Sequence, residues 1–250
     1  MSLKDTIKKI ICRFGILWSH VLFAVAGKRI DDFKNIPIII NNYNRLSYMM
    51  ELISSLTERG YHNIFIIDND SSYPPLLEYY KHCPYKVFRL DSNAGYLALW
   101  KTDIYKRFRN SYYVYTDSDM KIDEGCPADF MDKFIDVLNH FPMAQKVGFG
   151  IMIDNLPDHF KNKEKVIAHE SQFWTKPVSE DVYEAQIDTT FALYRPFCKG
   201  KADRNQKTYR TGGKYVIQHL PWYVDSLNLS EEERYYVETI TQSTHWSQQA

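Results

Sequence analysis

The chain carries no surplus charge: 31 Lys and Arg stand against 31 Asp and Glu in 250 residues. A dedicated nucleic-acid binder needs a basic excess to neutralise phosphates, so nucleic acid is excluded as a partner. Cysteine is equally scarce. Cys12, Cys83, Cys126 and Cys198 form no Cys-x-x-Cys pair, which argues against a zinc knuckle or a disulfide-stapled scaffold and fits a reducing compartment. Repeats, low-complexity tracts and Gly/Ser linkers are missing too, so the chain reads as one globular domain behind an N-terminal segment. What is abundant is aromatic: 15% of residues, 19 of them Tyr.

The N-terminal segment, residues 1–34, contains apolar positions at helical spacing, among them Ile7, Ile10, Phe14, Leu17, Trp18 and Val21. The uninterrupted apolar stretch from Phe14 is broken by Ser19 and His20 and ends at Gly27-Lys28-Arg29, short of the roughly 20 residues a bilayer span needs. A secretory signal is conceivable from the basic start and apolar middle. A Trp at the centre of the apolar face and basic residues at both ends suit a helix lying on an anionic membrane surface. The same stripe serves a helix packed on its own domain equally well. The membrane reading predicts a cytoplasmic protein held peripherally on the inner face of the membrane.

Residues 35–250 form the main domain. Short apolar runs alternate with amphipathic stretches: Ile36–Ile40, then a helix from Leu46 to Gly60; Ile64–Ile67, then Leu76–Tyr80; Tyr85–Leu90, then a helix over Tyr96–Arg107; and Tyr112–Tyr115. This alternation predicts an α/β fold with a mostly parallel sheet flanked by helices. Ligands of such sheets sit beyond the carboxyl ends of the strands, and here each strand ends in a polar cluster. Beyond Lys121 the expected elements are a helix over Phe130–Leu138, a strand over Val147–Ile153, poorly periodic chain from Asp154 to Gln186, and a strand over Thr189–Tyr194.

Asp117-Ser118-Asp119 places two carboxylates on the turn after a buried strand, where they can share one divalent cation. Hard oxygen donors in a partly open site suit Mg²⁺ or Mn²⁺ bridging a diphosphate. A calcium loop would need Gly where Ile122 stands, and Lys121 spoils the pattern of an aspartyl phosphatase.

Four motifs in order, Ile38-Ile-Ile-Asn-Asn-Tyr-Asn-Arg45, Ile66-Ile-Asp-Asn-Asp-Ser-Ser72, Asn93-Ala-Gly95 and Tyr115-Thr-Asp-Ser-Asp119, resemble glycosyltransferase family 2 and the wider nucleotide-diphosphosugar transferases of GT-A fold. They cover residues 35–125, the nucleotide-binding half in this resemblance, with 126–250 the acceptor side. The resemblance implies that Tyr43, beside Asn42 and Asn44, packs on the nucleotide base and that Asp68 accepts a hydrogen bond from it. Asn93 and Gly95 would line the donor channel. Asp117 would face ribose and metal, and Asp119 would hold the metal. The chain departs from the family pattern at Asn41-Asn42 and at Asn69-Asp70-Ser71. Taken singly, Asn42, Asn44 and Asn93 suit turns without any ligand.

For the catalytic base two carboxylates stand out. Asp188 immediately precedes an apolar strand, where it also suits a cap; Asp181 follows Glu180 in a pair that looks like the family's Glu-Asp. His219, before Leu220-Pro221, resembles the late histidine that several GT-A enzymes use as a further metal ligand, although a histidine among aromatics is more often a hydrogen-bonded core residue. Arg210 and Lys214, on either side of Gly212-Gly213, suit a flexible lid over a diphosphate or simply a basic surface loop. Trp174, Trp222 and Tyr223 offer apolar faces for a sugar or for the core.

The expected activity is metal-dependent, inverting transfer of a sugar from a nucleotide-diphosphate donor to a glycan or lipid-linked acceptor, as in polysaccharide assembly. A nucleotidyltransferase of related fold would open on a Gly-rich loop that this chain lacks. A nucleotide-sugar-binding module without catalysis is the non-enzymatic rival. The neutral total also divides unevenly: residues 1–29 hold six basic residues and one acidic, residues 195–214 seven and one.

Overall fold

The computed structural model describes residues 3–200 and 206–240. Helix α1 (Leu3–Ala26) precedes β1 (Ile38–Asn42), α2 (Ser47–Thr57), β2 (Ile64–Asp68), α3 (Pro74–Tyr80), β3 (Lys86–Arg89), α4 (Ala98–Lys101), α5 (Tyr105–Phe108) and β4 (Tyr113–Asp117). The second half contributes β5 (Met120–Ile122), α6 (Phe130–His140), β6 (Ala144–Ile151), α7 (Lys163–Glu170), β7 (Pro177–Ser179), β8 (Val182–Glu184), β9 (Ala192–Tyr194), β10 (Lys207–His219) and α8 (Glu231–Thr239).

All strands among the described residues join one sheet in the order β3-β2-β1-β4-β9-β6-β10-β8-β7, with β5 paired to β10. The α/β sheet expected from the alternation is present, with parallel pairing from β3 through β4. Strand β9 runs antiparallel between β4 and β6, and β6 and β10 are parallel again. Helices cover both faces because strand side chains alternate. Ile38 and Ile40 enter the core packed by Leu52, Leu56, Phe130 and Phe134, while Ile39 enters the core packed by Leu99, Tyr105 and Phe108. The terminus of α2 is followed by Gly60 in the left-handed region, φ +83°, where glycine avoids the Cβ penalty.

Three departures have local causes. The helix expected over Tyr96–Arg107 is divided into α4 and α5. Thr102 takes an extended conformation and its hydroxyl donates back to Ala98 O at 3.0 Å, ending the first piece. The unpatterned segment from Asp154 to Gln186 contains α7 and the β7–β8 hairpin. The N-terminal helix is continuous over 24 residues, about 36 Å, and its stretch Thr6–Ala26 is long and apolar enough to cross a membrane by length and composition. The apolar stretch from Phe14 is shorter than a span, and the helix gains its length from residues that precede Phe14.

α1 docks at one particular place. Its residues Ile16 and Ser19 are buried, His20 Nε2 lies 2.8 Å from Pro142 O, and Phe23 meets Tyr112 edge-on at 5.7 Å. Just after the helix, Lys28 N donates to Asn110 O at 2.7 Å. Asn110 and Tyr112 precede β4 and Pro142 precedes β6, so α1 lies under the amino ends of these strands.

Candidate functional site

At the opposite, carboxyl end of the sheet, β1, β2 and β4 deliver Asn42, Asp68 and Asp117 side by side: Asn42 is in register with Asp68, and Asn41 with Asp117. Asp117 is buried. Its Oδ2 accepts a 2.7 Å hydrogen bond from Thr189 Oγ1, and its amide donates to Thr189 O at 3.2 Å. Burial first, and the charge of Asp119 second, push the Asp117 carboxyl well above the ordinary carboxylate range. Two acids crowded in this way are what a shared cation would relieve.

Asp119 is placed by the pairing of β5 with β10, which sets Met120 opposite His219. His219 Nε2 lies 3.6 Å from Asp119 Oδ2, and Arg45 Nη1 reaches the same oxygen at 3.3 Å. Burial lowers the His219 pKa below the ordinary 6.5, against the pull of Asp119, which keeps the ring neutral at pH 7. Asp119 Oδ1, His219 Nδ1 and Glu233 Oε1 are buried and have no hydrogen-bond partner among the described residues. Unpartnered polar atoms gathered at one spot are the mark of an ion or ligand site. No group of three His, Cys, Asp or Glu residues converges as a metal cage among the described residues. Asp117 and Asp119 would offer hard carboxylate oxygens of the kind that suit Mg²⁺ or Mn²⁺, and His219 stands beside Asp119.

Arg45 and α8 were not anticipated in these roles. The Arg45 guanidinium is buried between Asp119 and Glu233, each at 3.3 Å, and stacks over the Tyr236 ring at 3.8 Å. Burial opposes its charge, but Glu233 and Asp119 outweigh that and hold it protonated. Glu232 accepts from Ser47 N at 3.0 Å and so caps α2, whose own preceding residue provides no side-chain cap. Ser230 in turn caps α8 by accepting from Glu233 N at 3.1 Å. The signal for this helix was readable: Ser230-Glu-Glu-Glu233 is a capping-box pattern.

Two buried basic residues fix the loop that carries Asp188. Lys146 Nζ donates to Asp188 O at 2.8 Å and to Tyr194 Oη at 3.0 Å. Arg210 Nε donates to Gln186 O at 2.7 Å. Together they clamp the backbone of residues 186–188, leaving Asp188 exposed beside the hydrogen-bonded Asp117–Thr189 pair.

The polar strand ends and the acidic turn leaving β4 lie where the four sequence motifs place them, on a sheet whose first half runs β3-β2-β1-β4. The fold is GT-A-like. No protein-family model matches the sequence, nor does any curated protein. Three solved structures are similar to the chain at low identity and partial overlap. A GalNAc-T7 crystallised with UDP, GalNAc and Mn²⁺ has 12% identity, TM-score 0.46 and coverage of 76% of this chain and 44% of that one. Glucosyl-3-phosphoglycerate synthase from Mycobacterium tuberculosis, in complex with phosphoglyceric acid, has 11% identity, TM-score 0.38 and coverage of 65% and 57%. A cytidylyltransferase from Leptospira borgpetersenii has 14% identity, TM-score 0.33 and coverage of 49% and 56%. The chain spans about half the length of the structures it resembles.

Not every expected residue joins the cluster at the strand ends. Arg210 is no flexible lid: it lies in β10, 3% exposed, paired with Glu170 at 2.6 Å. Lys214 is exposed at the bulge of β10, next to Gly213 with φ +58°. Asp181 occupies the β7–β8 turn with φ +55°, its carbonyl accepting from Gly212 N at 2.8 Å. A Cβ on Gly213 would come within 2.4 Å of the Asp181 carboxylate. Asp181 and Asp117 are separated by the steps β4-β9-β6-β10-β8, about 19 Å at the usual strand spacing. Asp181 is a turn residue held at the sheet's far side.

The nucleotide end also differs in detail from its expectation. Asp68 already accepts from Arg89 Nε at 3.1 Å and Tyr80 Oη at 3.2 Å, and Asn42 Nδ2 donates to the same Tyr80 hydroxyl at 3.0 Å. Asn44 takes φ +50° and accepts from Ser72 N and Tyr73 N at 2.7 and 3.0 Å, so its work is tying two strand-end loops together. Asn93 Oδ1 accepts from Gly95 N at 2.8 Å. The departure at Asn69 acquires a reason here, since its side chain bonds Ala94 N at 2.7 Å and Gly95 O at 3.0 Å. Tyr43 donates to Thr239 O at 2.6 Å and faces Tyr236, so α8 roofs the loop meant for the base. Trp222 is 2% exposed and belongs to the core; Trp174 packs edge-on to Tyr183 at 5.2 Å.

The buried Lys146 carries a pH signature. Burial lowers its pKa from 10.5 to about 7, against the pull of Asp188 and Asp117. Above about pH 7 the unfolded chain then binds a proton that the folded one has released. Stability of the wild type relative to Lys146→Met is expected to rise with pH from there towards 10.5, at about 1.4 kcal/mol per pH unit. Urea titrations of both proteins across that range measure the difference; a flat difference would show that the folded lysine titrates normally.

Proposed function

We propose that the chain is a glycosyltransferase that moves a sugar from a nucleotide-diphosphate donor to a hydroxyl of a glycan or lipid-linked acceptor, with inversion at the anomeric carbon. The observation that carries this reading is the meeting, at the carboxyl ends of the strands, of Asp117 and Asp119 with an exposed carboxylate on a clamped loop. Asp117 and Asp119 would hold Mn²⁺ or Mg²⁺, which when bound supplies Lewis-acid neutralisation of the departing diphosphate. Asp188 would take the acceptor's proton as the oxocarbenium-like transition state forms. Thr189 orients Asp117 by its hydroxyl, while Lys146 and Arg210 hold Asp188 in position through backbone carbonyls. Asn93 and Gly95 line the donor channel in this reading, with Tyr43 and Asp68 at the base.

The test is thermal melting with uridine, guanosine, cytidine and thymidine diphosphate sugars, each with and without Mn²⁺. A donor at a hundredfold excess over its Kd should raise Tm by roughly 5–10 °C only when Mn²⁺ is present, and Asp119→Asn should remove the Mn²⁺-dependent part. If no donor shifts the melt with Mn²⁺, the reading fails. The Arg45 contact to Asp119 favours a second reading, a nucleotide-sugar-binding module without catalysis. That module would be stabilised by a donor equally with and without metal.

A further inference from the structure

Helix α1 has two unlike sides. Ile16, Ser19, His20 and Phe23, which touch the domain, project to one side at 100° per residue. The opposite side presents Ile7, Ile11, Phe14, Trp18, Val21 and Val25, which are 48–83% exposed. Such a patch on one helix exceeds what isolated surface hydrophobics explain and marks an interaction face. Basic side chains frame it. Lys4 and Lys8 flank the stripe on one side, Arg13 lies on the other, and Lys28 and Arg29 follow the last turn, all exposed. No Asp or Glu occurs between Thr6 and Ile30.

We propose that this face rests on an anionic lipid bilayer, with α1 lying in the plane of the interface. Charge complementarity selects the occupant: apolar side chains enter the acyl boundary while the flanking Lys and Arg meet anionic headgroups. Docking selects the orientation. α1 has the length of a span, but spanning would tear Ser19, His20 and Phe23 from the domain and leave polar groups in hydrocarbon. The proposal is independent of sugar transfer, because its readout is lipid binding.

The experiment is flotation of the purified full chain with vesicles of phosphatidylcholine alone or mixed with phosphatidylglycerol, at low and high salt. The chain is expected to float with the anionic vesicles and to be released as salt rises. Phe14→Glu with Trp18→Glu should weaken binding roughly tenfold or more. Neutralising Lys4, Lys8 and Arg13 should cost about fivefold per residue. Both variants replace exposed side chains, and unchanged melting curves verify that they fold. Quenching by brominated acyl chains should be lost in Trp18→Phe while flotation persists.

Three results overturn the proposal. One is no flotation, or flotation indifferent to Phe14 and Trp18. Another is a lipid-free dimer that these variants dissociate, which assigns the face to a second copy. The last is membrane association that resists high salt together with protease protection of Lys4 and Lys8, which assigns a span.

Discussion

Arg45→Ala is expected to destabilise the folded chain by about 3–5 kcal/mol, because it leaves the carboxylates of Asp119 and Glu233 buried without their cation. Coulomb attraction is only part of what is lost, since the guanidinium also covers the rings of Tyr236 and Tyr48. Arg45→Lys keeps the charge but gives up the fork and the stacking, so an intermediate loss is expected. The informative comparison is the double variant Arg45→Ala with Glu233→Gln. Removing the second unpaired charge should restore part of the stability, and a double-mutant cycle in urea isolates the coupling. A single-variant loss below about 1 kcal/mol would mean that the pair is solvated, as surface ion pairs are.

Asp188→Asn is expected to lower turnover about 10²- to 10⁴-fold, the usual contribution of a positioned general base. Donor binding should be unchanged. Lys146 and Arg210 hold the backbone of this loop rather than the Asp188 side chain, so the amide can sit where the carboxylate sat. Asp181→Asn is the matched control: at the β7–β8 turn it should leave the rate untouched. Single-turnover assays with a donor identified by melting would read both. Near-wild-type transfer by Asp188→Asn would remove the residue from the chemistry, and a large loss in Asp181→Asn would reverse the two assignments.

The first half of the sheet was legible because its information is local. Ile38–Ile40 and Ile64–Ile67 are β-branched runs that end in polar residues, and helical spacing stops at Gly60. A period and a stop signal suffice for that. The acidic turn was legible for the same reason, with both carboxylates within three residues. The roles of Arg45, Lys146 and α8 depend on pairs far apart in sequence. Arg45 meets Glu233 across 188 positions, and Lys146 meets Asp188 across 42. No window of local pattern contains such pairs. Arg210 shows the converse error: two glycines beside a basic residue read as a mobile loop, whereas β10 continues through them as a bulged strand and its arginine turns inward to Glu170. Asn44 and Asp68 were placed correctly at the strand ends, yet their polar atoms already serve one another's loops, a competition that composition cannot reveal.

The position of α1 under the amino ends of β4 and β6 sets a clearance. The acidic turn lies at the other end of the same strands, so one strand length and one helix diameter stand between it and whatever lies beneath α1. With β4 at five residues, that separation is roughly 25 Å. A bilayer at the outer face of α1 would keep the acidic turn, the reacting centre in the proposed function, well above the headgroups. A sugar attached directly to a lipid phosphate would fall short of it, whereas an extended glycan would reach. Acceptors should then be distinguished by the length of their stalk before the identity of their terminal sugar.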